Sequence, residues 1–252
     1  MTTDSPLDPL LSSWERQQEG YVAHREQRFE VVLTCLAYTG PPRLVLDLGA
    51  GTGAFTRRIL DRFPAVRAVA VDYDPALLAL ARHQLAPYGD RISIVEADLA
   101  DPEWADRLPE VPDAAVSSTA LHWLTPGQLL ALYTRLGQLL PAGATIFNAD
   151  HLRRPREDSF LHRISAADDA HQQDEAFRGD GIPDWNAWWR QLGALPGFAE
   201  LVAERERRFG GDDAVRDDLP PAFHLEALRA AGFVEAGTIW QHFDDYVIYG
   251  VR

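Results

Sequence analysis

The sequence predicts an α/β fold: a doubly wound, mostly parallel seven-stranded sheet with an antiparallel edge hairpin near the C-terminus and a helical insertion. First, five short apolar runs alternate with helical patterns, which is typical of parallel strands covered on both faces. Second, two strand-like runs follow near the end, joined by Asp244–Asp245, and so short a link indicates an antiparallel hairpin. Third, the segment between the fifth and sixth runs is charged and rich in tryptophan, with helical but no strand signals.

The elements divide the chain into three parts. Residues 1–39 predict an N-terminal helical cap, broken near Gly20 and ended by "GPP". Residues 40–150 and 220–252 form the predicted α/β core, and residues 151–219 form the insertion, which we expect to be a lid over the substrate. The five apolar runs are "RLVLDL", "RAVAVD", "RISIVE", "DAAVSS" and "ATIFNA".

Composition narrows the function classes. The net charge of −14 disfavours nucleic acid and acidic membrane surfaces as partners, because both require a basic surface. The only cysteine, Cys35, cannot form an internal disulfide, and the first twenty residues lack the pattern of a signal peptide. We therefore expect a cytoplasmic protein that acts on a small molecule. The sequence does not predict its oligomeric state.

A glycine loop follows the first predicted strand in "LVLDLGAGTGAFT" (44–56). Gly49, Gly51 and Gly53 lie where a strand turns into a helix, so the backbone can approach a ligand closely. Asp47, just before the loop, would repel a pyrophosphate but would attract a sulfonium and an ammonium. S-adenosylmethionine carries both cations and no phosphate, and the loop therefore predicts this cofactor.

Two further acids end the next two strands. Asp72, in "AVAVDYDP", is placed to accept hydrogen bonds from both ribose hydroxyls, and Tyr73 could lie against the adenine. Asp98, in "IVEADLAD", could accept from the adenine amino group, with Leu99 beside the ring. Each acid alone could be a helix cap or a solvated loop residue. Their common position at the carboxyl edge of the sheet favours the cofactor site.

These motifs resemble the class I S-adenosylmethionine-dependent methyltransferases. "VLDLGAGTG", "VDYD" and "EADL" match that family's first three motifs in order and spacing, and "SSTALHWL" is similar to the trans-aconitate and malonyl-carrier-protein methyltransferases. The resemblance implies a Rossmann-like fold and methyl transfer. It implies cofactor contacts for the following residues: Asp47, Gly49, Ala50, Gly51, Asp72, Tyr73, Asp98, Leu99 and Ser117. It also implies that an arginine of the N-terminal helices pairs with the methionine carboxylate, for which Arg28 is the first candidate and Arg25 the second.

The acceptor side is predicted from the residues after the fourth strand. His122 could remove a proton from the acceptor, because an imidazole ordinarily titrates near neutral pH. It could equally pack inside the fold, since methyl transfer often needs no base. The predicted substrate residues are Tyr21, Trp123, His151 and Trp185. Arg153, Arg154 and Arg156 could hold an anionic group of the substrate or form a charged surface turn.

Other outcomes remain open at this point. The helical insertion and the ending "WQHFDDYVIYGV" are also similar to the carboxy-S-adenosylmethionine synthases, so the same pocket could serve another reaction, including a pericyclic one. A cofactor-binding protein without catalysis is a further alternative. His162, His171 and His224 show no metal-ligand spacing, and we predict no metal.

Overall fold

The computed structural model describes residues 5–152, 159–178, 181–210 and 219–252. Within these ranges seven strands form one sheet, in the spatial order third, second, first, fourth, fifth, seventh, sixth. The first five strands are parallel, whereas the seventh pairs antiparallel with both the fifth and the sixth. The strands are β1 (Leu44–Leu48), β2 (Arg67–Asp72), β3 (Ile92–Glu96), β4 (Ala114–Ser118), β5 (Thr145–His151), β6 (Glu235–His242) and β7 (Asp245–Val251). The predicted fold class is confirmed.

Helices cover both faces of the sheet. They are α1 (Leu7–Tyr21), α2 (Arg25–Tyr38), α3 (Ala54–Arg62), α4 (Pro75–Leu85), α5 (Pro126–Leu139), α6 (Phe160–Phe177), α7 (Trp185–Gly193), α8 (Ala199–Phe209) and α9 (Pro221–Ala230). Alternate residues of β1 enter different cores, as the pleat of a strand requires. Leu46 packs in the cluster that contains α5 and α9, whereas Val45 packs in the cluster that contains α2 and α3.

The helices of the insertion contact the N-terminal cap. α6 packs along α1, and α7 lies between α1 and α8. Trp14 of α1 meets the three tryptophans of α7 with ring centroids 4.5–6.1 Å apart. Three of these rings, Trp14, Trp188 and Trp189, are buried together with residues of α4, and their burial stabilises the contact between the insertion and the core.

Two local features differ from the sequence prediction. The break in the N-terminal helices falls at 22–24, just after Gly20, where His24 adopts a positive φ of 52°. The hairpin link is formed by Phe243 and Asp244, and Asp245 is the first residue of β7. Asp245 therefore lies in the sheet beside β5 instead of in the turn. No helix in the described part of the chain is both long and apolar enough to cross a membrane.

Candidate active site

The glycine loop after β1 brings three backbone segments together at the carboxyl edge of the sheet. Gly49 has a φ of 70°, and a Cβ built on it would lie 2.3 Å from Cβ of Ala120, in the segment that follows β4. The amides of Gly49 and Ala50 both donate to the carbonyl of Val71 in β2, at 2.9 and 3.0 Å. Only glycine fits at position 49, because the backbone conformation and the close approach both exclude a side chain.

Asp47 is buried at the end of β1, directly below this loop. Thr56 of α3 donates its hydroxyl to Asp47 Oδ2 at 2.5 Å. Burial raises the pKa of Asp47 to about 7; the Thr56 hydrogen bond opposes this shift and the charge of Asp72 adds to it. A cation bound nearby would favour the ionised form of Asp47, as expected for a carboxylate below a sulfonium or an ammonium.

Asp72, the predicted ribose ligand, also fixes the backbone of the loop. Its Oδ2 atom accepts from the amide of Gly51 at 2.7 Å, and its Oδ1 atom accepts from the amides of Tyr73 and Asp74 at 2.7 and 2.8 Å. Burial raises its pKa, and these backbone hydrogen bonds oppose the shift. A carboxylate offers about four acceptor sites. Three of these sites are occupied, and the remaining one is on Oδ2. A ribose that bonded to both oxygen atoms would have to displace one of the two backbone amides from Oδ1.

The last turns of α8 lie over Tyr73, which is predicted to lie against the adenine. Arg208 of α8 donates to the carbonyl of Tyr73 at 2.7 Å, pairs with Glu96 at 2.8 Å, and lies 4.4 Å from the centre of the Tyr73 ring. Asp98 accepts from the amide of Ala100 at 2.8 Å, as a turn-capping residue does. Sequence analysis does not single out Arg208, since nothing in its surroundings marks it apart from the other arginines of the insertion.

His122 lies on a short 3₁₀ turn, Leu121–Trp123, just after β4. Its Nδ1 atom is 2.6 Å from Oδ1 of Asp150, a fully buried residue at the end of β5. The same carboxylate accepts from the amides of His122 and His151, at 3.1 and 3.0 Å. Burial alone would raise the pKa of Asp150, but its contacts with the two histidines hold it below the usual value. The carboxylate is therefore ionised and can only accept.

A second histidine–carboxylate pair lies beside the first. His151 Nδ1 is 2.5 Å from Oδ1 of Asp245, and the same oxygen is 2.5 Å from the guanidinium of Arg28. Burial alone would raise the pKa of Asp245, but His151 and Arg28 lower it. The His122 and His151 rings lie 6.1 Å apart, and both side chains remain about a fifth exposed, at 20% and 19%.

Comparisons with known proteins indicate the class of enzyme that this chain resembles. A methyltransferase-domain family model matches residues 45–143. Trans-aconitate 2-methyltransferase of Streptomyces avermitilis is 28% identical over 241 residues, which cover 93% of this chain and 74% of that protein. Malonyl-[acyl-carrier protein] O-methyltransferase of Anoxybacillus flavithermus is 32% identical over 169 residues, 65% of this chain and 60% of that protein. These matches support a class I S-adenosylmethionine-dependent methyltransferase, the family that the sequence motifs resemble.

The fold is shared with solved methyltransferases. The structure of human N-acetylserotonin methyltransferase in complex with S-adenosylmethionine matches with a TM-score of 0.53 and 17% identity, over 98% of this chain and 60% of that one. That structure contains S-adenosylmethionine, the cofactor that the glycine loop of this chain predicts. The positive-φ glycine loop below Ala120 and the buried Asp47 fit a ligand that carries cations and is held against bare backbone.

The two arginines predicted to pair with the methionine carboxylate both have partners within the protein. Arg28 is fully buried, donates through Nε to the carbonyl of Ala23 at 2.8 Å, and is paired with Asp245. A buried guanidinium without an anionic partner would destabilise the fold, and Asp245 is that partner. Its pairing with the methionine carboxylate therefore stays a prediction. Arg25, the second candidate, pairs with Glu15 at 3.1 Å.

Three more of the predicted residues have partners within the fold. Ser117 donates its hydroxyl to the carbonyl of Leu48 at 2.8 Å, and its predicted contact with the cofactor is through the backbone and stays a prediction. Tyr21 packs on Phe177 of α6, and Trp185 packs on Trp14, away from the two histidine pairs. Trp123, in contrast, is next to His122, with ring centroids 5.5 Å apart. The arginines at 153, 154 and 156 lie outside the described residues.

A small cavity lies against both histidine pairs. Its wall is formed by leucines and by three histidines: Leu121, His122, Leu124, Leu129, His151, Leu152, Leu219 and His224. Burial lowers the pKa of His224 to about 4, so this ring is neutral at pH 7, and its Nδ1 lies 2.8 Å from the hydroxyl of Tyr133. Among the described residues, no group of three or more histidines, cysteines or acids could hold a metal ion.

Proposed function

We propose that this methyltransferase transfers a methyl group from S-adenosylmethionine to an oxygen or nitrogen atom of a small molecule, and that His122 removes the acceptor's proton. The observation that carries the proposal is the contact between His122 Nδ1 and the buried, ionised Asp150 at the end of β5. It places a histidine that is fixed in one orientation directly after the strand that borders the glycine loop.

The tautomer of His122 follows from its partner. Because Asp150 can only accept, the Nδ1 atom of His122 carries the hydrogen, and the Nε2 atom of the neutral ring carries a lone pair. Bound S-adenosylmethionine supplies an activated methyl group. Transfer to the acceptor atom would break the bond between this methyl and sulfur and release S-adenosylhomocysteine. Nε2 of His122 would take the acceptor's proton, and Asp150 would stabilise the resulting imidazolium.

A base of this kind favours acceptors with a proton to lose. A carboxylate is already ionised at neutral pH and needs no base, whereas a hydroxyl or a protonated amine does. The named relatives from Streptomyces and Anoxybacillus are methyltransferases for trans-aconitate and a malonyl carrier protein. The pair of His122 and Asp150 supports a hydroxyl or amine acceptor here, and the net charge of −14 supports a small molecule over nucleic acid.

The lone cysteine is consistent with a cytoplasmic enzyme.

The test is a screen of hydroxyl, amine and carboxylate acceptors, with release of S-adenosylhomocysteine and the mass of the product as readouts. We expect a methylated hydroxyl or amine and stoichiometric S-adenosylhomocysteine. Binding of S-adenosylmethionine without its conversion, for every acceptor in the screen, would contradict methyl transfer and would favour a binding protein. Conversion to a product other than S-adenosylhomocysteine would favour different chemistry in the same pocket.

A further inference from the structure

The last helix of the insertion, α8, is attached to the core differently from its neighbour α7. α7 buries Trp188, Trp189 and Leu192, whereas none of the residues of α8, all of which the structure describes, is buried. Leu201 and Val202, in the first half of α8, pack at the margin of the tryptophan cluster. The second half of the helix is held to the core by arginine side chains instead.

Two arginines of this second half reach the loop that follows β2. Arg208 donates to the carbonyl of Tyr73 at 2.7 Å and pairs with Glu96 at 2.8 Å. Arg205, one turn earlier, forms an ion pair with Asp74, with its Nε atom 2.9 Å from Oδ2. These contacts fix α8 to the two residues that directly follow the predicted ribose ligand.

The ring of Tyr73 is enclosed from the same side. The guanidinium carbon of Arg208 lies over this ring, 4.4 Å from its centre, and the ring of Phe209 meets it at 73°, with centroids 5.9 Å apart. A cation over an aromatic ring covers one of its two faces. An adenine that stacks on Tyr73 therefore uses the opposite face, and α8 supports the ring from behind.

The contacts of the arginines with the loop are weaker than the packing of α7. Arg205 and Arg208 are 20% and 17% exposed, and Glu96 is 41% exposed. Ion pairs that water can reach contribute little and are screened by salt, whereas burial of tryptophan rings contributes much more. The second half of α8 therefore detaches from the loop at a lower free-energy cost than α7 detaches from the core.

We propose that the second half of α8 is a latch on the cofactor site, whose arginines must release the Tyr73 loop before the cofactor exchanges. While the arginines hold the loop, bound S-adenosylmethionine or S-adenosylhomocysteine is retained. The inference rests on the predicted cofactor site and is independent of the acceptor and of His122.

Stopped-flow binding and displacement of S-adenosylhomocysteine test the latch without any acceptor. Tryptophan emission is the signal, because Arg205 lies 3.9 Å from the centre of the Trp189 ring and movement of α8 changes the surroundings of that ring. In Arg208→Ala we expect koff to rise about tenfold and kon to rise less, since the closed state loses contacts that the open state does not make. A change from about 50 to about 500 mM KCl should raise koff of the wild type several-fold and koff of Arg208→Ala much less.

Variants on both sides of the contact separate the latch from a general loss of structure. Glu96→Gln removes the ion pair without altering α8, and it should raise koff in the same direction as Arg208→Ala. Arg208→Lys keeps a charge for Glu96 but lacks the planar group over Tyr73, so its koff should lie between those of Arg208→Ala and the wild type. Arg207→Ala is the matched control and should leave both rates unchanged, because Arg207 pairs with Glu204 of the same helix.

Each contrary outcome has a distinct meaning. A faster kon with an unchanged koff in Arg208→Ala would overturn the latch, since it would show that α8 only obstructs the site. A koff that is independent of salt and of Arg208, or that changes in only one of Arg208→Ala and Glu96→Gln, would also overturn it. Absence of S-adenosylhomocysteine binding to the wild type in calorimetry would overturn the latch and the cofactor assignment together. A failure of the proposed methyl transfer would leave these rates unaffected.

Discussion

The carboxylate of Asp150, which is fixed in β5, holds His122 at two points: Oδ1 contacts the ring nitrogen Nδ1 at 2.6 Å, and Oδ2 accepts from the His122 amide. The ring can therefore rotate little about its side-chain bonds, and its Nε2 atom keeps one direction. A base that is already oriented loses little freedom when the acceptor binds, which is the condition for efficient proton transfer.

The first prediction concerns His122. His122→Asn keeps a donor for Asp150 and removes the basic nitrogen, so we expect kcat to fall by about a hundredfold or more, while the Kd for S-adenosylmethionine stays nearly unchanged. The loss should shrink at high pH, where a hydroxyl acceptor ionises without help. A pH–rate profile of both proteins, with melting temperatures alongside, measures this. A wild-type profile that is flat from about pH 5 to 9 would contradict the role of a general base.

The second prediction concerns the tautomer. In Asp150→Asn the amide can donate to Nδ1, which would move the ring hydrogen to Nε2 and remove the lone pair that faces the acceptor. We expect kcat to fall at least tenfold with little change in KM. The exposed Asp106→Asn is the matched control. If Asp150→Asn kept full activity, the orientation of His122 would not matter to the reaction.

The third prediction concerns the stability of the protein as a function of pH. The pKa of Asp47 is about 7 in the folded state and about 3.9 in an unfolded chain. The folded protein therefore binds the extra proton between these values, and the free energy of unfolding should fall as the pH rises from about 4 to 7. Asp47→Asn lacks this titration, and it should be more stable than the wild type at pH 8 by about 2–4 kcal/mol.

Urea unfolding of both proteins at pH 5 and pH 8 measures the effect, with the exposed Asp90→Asn as the control. The same substitution should weaken binding of S-adenosylmethionine, because the cofactor's positive charges favour ionised Asp47. Wild-type binding near pH 6 should accordingly release a proton, which calorimetry in buffers of different ionisation enthalpy detects. A variant that is less stable at both pH values would show that packing, and not charge, dominates at position 47.

The fourth prediction concerns Asp72. Asp72→Ala should weaken binding of S-adenosylmethionine by about 1.5–3 kcal/mol, because charge-assisted hydrogen bonds to the ribose are lost. Three loop amides lose their acceptor in the same variant, so the melting temperature should fall as well. Asp72→Asn, which keeps one acceptor oxygen, should recover more of the stability than of the affinity. Unchanged affinity in a folded Asp72→Ala protein would remove Asp72 from the cofactor site.

The fifth prediction concerns α8. Arg208 joins α8 to Tyr73 and Glu96 at the ends of β2 and β3, next to the expected adenine position. We expect the amides of Ala199–Phe209 to gain hydrogen-exchange protection with cofactor alone, before an acceptor is added. Arg208→Ala should reduce this protection and raise the Kd for the cofactor several-fold. Arg207→Ala should not, because Arg207 pairs with Glu204 of the same helix. Protection that requires the acceptor would instead favour a lid over the substrate.

Most of the fold could be predicted from the sequence, because buried parallel strands are continuous apolar runs and each glycine or proline cluster marks an end. The rule that singles out Asp72 and Asp98 at strand ends applies equally to Asp150, which follows "ATIFNA". The partnership of Asp245 with His151 could not be predicted. It depends on the register of β7 against β5, which sets these two residues opposite each other, and no local pattern contains that register. The burial of Arg28 follows from the same pairing.

The position of β7 between β5 and β6 has a consequence for the order in which the enzyme assembles. β1 and β2, which carry Asp47, the glycine loop and Asp72, are neighbours both along the chain and in the sheet. Asp245 and His151 also lie opposite each other in the sheet, but the whole insertion separates them along the chain. Contacts between distant segments form slowly. During refolding we therefore expect affinity for S-adenosylmethionine to appear first and turnover of the acceptor to appear later, when the final hairpin has docked.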